Sequence, residues 1–155
     1  MSSVALFMQI DLAPSLLPLF AVGMWLLVVS LIAFMGGWRS LAGAYRAPDG
    51  FELDPATRFR FRSLQLRRGM LFPANYSNMM TVGLTEAGLY LEPFVLFRFQ
   101  HRPLLIPWTE ITDCRGGSFL WLHWVDLFPR VGPVIRLYDS IADEAWGEWR
   151  VRVHR

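Results

Sequence analysis

Three histidines, one cysteine and a dense set of arginines are the side chains of this 155-residue chain best suited to chemistry. His101, His123 and His154 stand far apart in sequence, and none has the HExxH spacing that brings two imidazoles to one metal ion. They read as structural histidines. A lone Cys114 rules out an intrachain disulfide and a multi-cysteine zinc site, and its place in an apolar stretch reads as core. The glycine-rich phosphate loops, the GxSxG nucleophile turn and the paired carboxylates of hydrolases do not occur. Glu86 and Asp54 fall in turn-like positions where acids are ordinary. The expectation is therefore a non-catalytic protein with no catalytic residue, no metal site and no cofactor.

All fifteen basic residues are arginine, and the formal net charge is only +2. A charge this small does not argue for nucleic acid as a partner, so local clustering matters more than the sum. Arg58, Arg60 and Arg62 alternate with Phe59 and Phe61, which places the three arginines on one face of a strand. That face is either simply solvated or a binding surface for anionic lipid, where each arginine contributes about 1 kcal/mol. A second candidate is Ser118 to Phe128, SFLWLHWVDLF, which reads as one strand apolar on both faces. Trp121 and Trp124 within it are the candidate partner-binding residues, because desolvated tryptophans often dominate protein interfaces.

The elements that would position these groups begin with an uncharged block between Asp11 and Arg39. Pro14 to Met35 forms a helix of about 33 Å at 1.5 Å per residue, long enough for a hydrocarbon core of about 30 Å. Gly36 and Gly37 weaken its end, and Trp38 with Arg39 suits the interface. Two other readings compete. A secretory signal would place its cleavage site at Ala42-Gly43-Ala44, but no basic residue precedes the block and the block is too long. A soluble core helix would show a polar face, and only Ser30 interrupts this one. Since Met1 to Ala13 holds no arginine while Arg39, Arg46, Arg58, Arg60 and Arg62 follow the block, the positive-inside rule puts the N-terminus outside and the remainder in the cytoplasm at the inner (plasma) membrane.

The expected organisation is a short extracytoplasmic segment over 1–13, a transmembrane helix over 14–36, a juxtamembrane linker over 37–50 and a β domain over 51–155. Trp38, Leu41, Ala42 and Tyr45 recur at helical spacing, as either a short surface helix or a frayed end of the span. Ala47-Pro48-Asp49-Gly50 marks a turn. The phase of alternation flips near Ser63, which predicts a bulge. Met80, Val82 and Leu84 face Leu89 and Leu91 across the turn Thr85-Glu86-Ala87-Gly88, a hairpin in which Gly88 is expected in a left-handed conformation. Leu104 to Trp108 reads as a strand that Pro107 confines to an edge. Val134 to Tyr138 is another strand. Beyond it Ser140 caps a short helix containing Ile141, Ala145 and Trp149, or Trp149, Val151 and Val153 alternate as a last strand.

GWRSLAGAYR at 37–46 and TVGLTEAGLYLEPFVLFRFQHRPLLIPWTEI at 81–111 together resemble a group of bacterial membrane-anchored proteins with no assigned activity. The shared features are a GLYL strand, an FR…H.P turn and an IPW.EI strand, covering roughly residues 37 to 112. The sequence departs from the group at His101-Arg102-Pro103, where proline would directly follow the histidine. The resemblance implies a small β-barrel domain of pleckstrin-homology-like or GRAM-like fold, mainly β, with a short C-terminal helix. It implies no activity. The functional expectation is a single-pass, membrane-tethered adaptor or scaffold that binds a protein or peptide. Two alternatives stand beside it, an anionic lipid-headgroup module and an accessory subunit of a membrane enzyme.

Overall fold

The computed structural model describes residues 16–69, 72–99 and 101–153. The expected extracytoplasmic segment and His154 lie outside the described residues. A helix α1 (Leu16–Met35) leads into α2 (Trp38–Tyr45). Seven strands follow: β1 (Arg58–Arg68), β2 (Phe72–Leu84), β3 (Gly88–Pro93), β4 (Leu104–Pro107), β5 (Ile111–Phe119), β6 (Leu122–Pro129) and β7 (Val134–Tyr138). Helix α3 (Ser140–Val153) closes the chain, so of the two readings of the C-terminal stretch the helix is the one that forms.

The strands form one antiparallel sheet in the order β4-β3-β2-β1-β7-β6-β5. Laid flat, its two edge strands would stand roughly 29 Å apart at about 4.8 Å per neighbour. Yet β4 and β5 are those edges, and only the turn Trp108–Glu110 joins them, a link that spans at most about 14 Å. The sheet must curl until its edges approach, giving a half-barrel. β1 and β2 carry two irregularities that bend the sheet. Their pairing shifts between Phe59 and Arg62 and again between Arg62 and Leu64, while Phe61 (φ 54) and Asn78 (φ 52) take left-handed conformations. Ser63 Oγ accepts from the Asn78 amide and donates to its side-chain oxygen, both at 3.0 Å, which fixes the bulge where the alternation changes phase.

The curled sheet wraps one core. Leu64, Leu66, Val82, Leu91, Leu127 and Ile135 fill it from the strands, and Ile141, Ala142 and Ala145 enter it from α3. Trp38, Leu41 and Tyr45 on α2 enter the same core, so the stretch read as a linker folds with the strands. Trp38 Nε1 donates to the Arg102 carbonyl at 3.1 Å, and Tyr45 Oη accepts from the Val131 amide at 3.1 Å. Gly37, at φ 78, supplies the left-handed step between α1 and α2 that a side chain would strain. β3 is buried on both faces, because the segment after α2 folds over its outer side. Phe51 stacks on Tyr90 at 5.3 Å, and Ala47 and Leu53 complete a small second cluster.

Two local expectations change. The run Ser118 to Phe128 is a hairpin, with Phe119 paired to Leu122 and a two-residue turn at Leu120 and Trp121. Apolar alternation cannot reveal this turn, because Leu120 adopts its positive φ of 56 without any glycine to announce it. Gly88 is the second. Its φ of 158 is positive, as expected, and in a region that residues with a β-carbon rarely adopt, but it lies outside the left-handed helical range, and a β-carbon there would stand 2.1 Å from the Ile106 carbonyl oxygen on β4. Glycine is required by the approach of the neighbouring strand. Pro107 does lie on an edge strand, paired with Gly88.

Candidate functional site: an arginine cleft beside an apolar loop

The bulge in β1 separates the three arginines that simple alternation puts together. Arg58 and Arg60 line a cleft of about 200 Å³ with Arg98, from the loop after β3, and with Glu92 at the end of β3. Arg62 turns away, its guanidinium 5.9 Å from the centre of the Phe59 ring. Arg67 reaches Asp126 at 3.6 Å, and Arg136 grips the same carboxylate through two bonds of 2.6 and 2.7 Å. The local arginine excess thus divides: Arg67 and Arg136 are neutralised by Asp126, Arg58, Arg60 and Arg98 gather at the cleft, and Arg62 belongs to neither set, its buried Nε without a hydrogen-bond partner.

In that cleft three positive charges face one negative charge. Arg98 pairs with Glu92, which is nearly buried. Neither Arg58 nor Arg60 has an ion-pair partner among the described residues, and the buried Nε of Arg58 meets no hydrogen-bond acceptor. A buried donor without an acceptor costs about 1–3 kcal/mol, more when charged, so such an atom marks where an acceptor belongs. The nearby Tyr90 hydroxyl is pushed up to about 12, by burial first and then by the Glu92 charge, and stays neutral. Phe61, Phe94 and Val95 form an apolar rim around the arginines, and Phe61 is held there at positive φ, a strained geometry for a bulky residue. A neighbouring cleft of about 330 Å³ holds Arg46, Arg102, Asp49 and Glu92, two charges of each sign, and Arg46 bonds Asp49 at 2.8 Å. Its balance gives no preference for an anion.

The two candidate tryptophans part company. Trp121 stands 83% exposed at the β5–β6 turn between exposed Leu120 and Leu122. Trp124 is half-buried, with the Arg136 guanidinium 4.8 Å from its ring centre. The sequence reading missed Arg98, Glu92 and the rim; its available signal was FVLFRF, an apolar run broken by one arginine directly after a buried strand.

The remaining reactive groups are placed structurally. His123 is exposed on β6. Cys114 is buried and its thiol is pushed up to about 12, chiefly by desolvation and then by Asp113 and Asp126, so it is no nucleophile at neutral pH. His101 is 1% exposed, with Nε2 3.1 Å from the Tyr76 hydroxyl, the Trp38 ring against its edge and Nδ1 without a hydrogen-bond partner. Burial holds this imidazole below its ordinary 6.5, with the Phe97 backbone acting weakly the other way. The folded protein therefore keeps His101 neutral while the unfolded chain takes up a proton below about pH 6.5. Stability is complete above that pH and is lost on acidification, by at most about 1.4 kcal/mol per pH unit. Lowering the pH from 7.5 to 5.5 should reduce the melting temperature of the full chain in micelles, and His101→Gln should flatten that slope; an equal slope in both proteins would place the titrating group elsewhere.

No protein-family model, no curated protein and no solved structure matches this chain. What the fold and the site define is an antiparallel seven-stranded β domain with an apolar N-terminal helix and a cleft lined by three arginines and one glutamate.

Proposed function

We propose that this is a non-catalytic, membrane-anchored domain of pleckstrin-homology-like type whose arginine cleft binds the anionic headgroup of a phospholipid. Support for the anchor comes from α1. It is 20 residues long, about 30 Å, and only Val29 and Ala33 along it are buried, whereas a soluble core helix hides its apolar surface. Cleavage at Ala42-Gly43-Ala44 would remove Trp38 and Leu41 from the core, which favours an uncleaved anchor over a signal. The seven strands and the terminal α3 packed on β5, β6 and β7 support the fold type. The arginine asymmetry around α1 favours a cytoplasmic domain.

The observation that carries the ligand reading is the charge of the cleft: Arg58 and Arg60, neither with an ion-pair partner among the described residues, stand beside Arg98 under a rim of Phe61, Phe94 and Val95. A phosphate supplies the opposing charge and its diacylglycerol meets the apolar rim. A second reading, a protein partner at the β5–β6 turn, rests on Trp121 and on Leu120, a leucine kept in a strained turn position with its side chain in the open. One titration separates them. The full chain in non-ionic micelles should be stabilised saturably by short-chain phosphatidylglycerol and far less by phosphatidylcholine. Arg58→Gln and Arg60→Gln should each weaken that binding about fivefold, the equivalent of about 1 kcal/mol, and Trp121→Ala should leave it unchanged. Equal binding of both lipids, or indifference to the double arginine substitution, would dismiss the headgroup reading in favour of the partner.

A further inference from the structure

The loop after β3 lies against the middle of α1. Phe97, in the turn Val95–Phe97, meets the Trp25 ring with centroids 6.0 Å apart. Trp25 is ten residues before the end of α1, about 15 Å along a helix of about 30 Å. If α1 crosses the bilayer, its full length is taken up by the hydrocarbon, and whatever touches Trp25 lies near the level of the bilayer centre. Helix tilts of about 20° change this depth little.

The side chains of the loop suit that position. Phe94, Val95, Leu96 and Phe99 are all exposed, Phe99 at 72%, a continuous apolar surface unsuited to water. Its one charged member, Arg98, is directed back to Glu92 as an ion pair, the arrangement in which an ionisable group is tolerated at depth. From Trp25 to its end the free side of α1 remains apolar and open at Val28, Leu31 and Phe34, so the surroundings along this half of the helix must be apolar as well. Between α1 and β2 runs a groove of about 330 Å³ lined by Val28, Ile32, Met35, Pro73 and Ala74, apolar apart from Asn75 and open to the outside. The geometry points to a domain that is partly sunk in the bilayer: the 94–99 loop enters the acyl region of the leaflet beside the second half of α1. The occupant of this surface is lipid hydrocarbon.

This inference rests on the anchoring role of α1 and shares Phe94, Val95 and Arg98 with the proposed headgroup cleft, so the tip of the loop lies in the acyl region while Arg98 reaches back to Glu92 on the interface side. Single cysteines at Leu96, Phe99, Phe20 and Gly50, introduced into the full chain with Cys114→Ala and labelled with bimane, would be read in reconstituted vesicles. Quenching by lipid with a nitroxide at mid-chain should exceed quenching by a headgroup nitroxide several-fold at Leu96 and Phe99, as at Phe20, while Gly50 in the exposed turn after α2 should show neither. Mid-chain quenching at Phe20 with Leu96 and Phe99 behaving like Gly50 would overturn the buried loop and leave the anchor standing. Loss of mid-chain quenching at Phe20 as well would overturn both.

Discussion

Gly88→Ala should cost the protein more than about 3 kcal/mol and leave most of it unfolded or aggregated. The added carbon would sit 2.1 Å from the Ile106 carbonyl oxygen and 2.6 Å from its carbon, both backbone atoms of β4 that no rotamer change can move aside. Overpacking against yielding side chains costs about 1–3 kcal/mol, and a rigid strand yields less. Relief requires β4 to leave β3, which would undo the pairs Leu89 with Ile106 and Leu91 with Leu104 at the heart of the core. Gly43→Ala is the matched control. Nothing lies within 4 Å of a β-carbon at Gly43, and alanine in place of a helical glycine should add up to about 1 kcal/mol. Melting of both proteins in the same micelles decides the matter: equal midpoints would show that β4 does not approach Gly88 this closely.

Trp38→Ala should be nearly as damaging, lowering stability by about 3–5 kcal/mol as large buried aromatics do. Trp38 is fully buried, packs on Tyr76 and His101 with ring centroids at 5.7 and 5.2 Å, and donates its indole proton to Arg102. At about 2–4 °C per kcal/mol the melting temperature should fall by about 6–20 °C. An interfacial tryptophan that merely met headgroups would leave the melting temperature almost unchanged, and that result would return 37–50 to the role of a linker. The same contacts tie the end of α1 to the sheet. Trp38 follows α1 after only two glycines and is locked into the core, so the helix cannot swing freely above the sheet.

Much of the fold was legible in local pattern. The uncharged apolar block, the helical spacing of Trp38, Leu41 and Tyr45, the phase change near Ser63 and the pairing of Val82 with Leu91 each depend on neighbours within a few residues, and period is a local property. The β5–β6 turn was hidden because Leu120 and Trp121 are apolar like the strands they join, so no polar or glycine signal interrupts the run.

The candidate site was legible only in part. Sequence determined that Arg58, Arg60 and Arg62 crowd one strand, that histidines and cysteine are too scattered for a motif, and that one helix is apolar enough to cross a membrane. Tertiary structure decided which arginines line the cleft, because a one-residue shift of register between Phe59 and Arg62 turns Arg62 onto Phe59, while the loop after β3 brings in Arg98, thirty-eight positions beyond Arg60. It also decided which are silent, since Asp126 on β6 satisfies Arg67 and Arg136 from two other strands. The physical reason is that a charge pair or an unmet donor is a property of distances across the sheet, and those follow from strand order and register, which local periodicity does not encode.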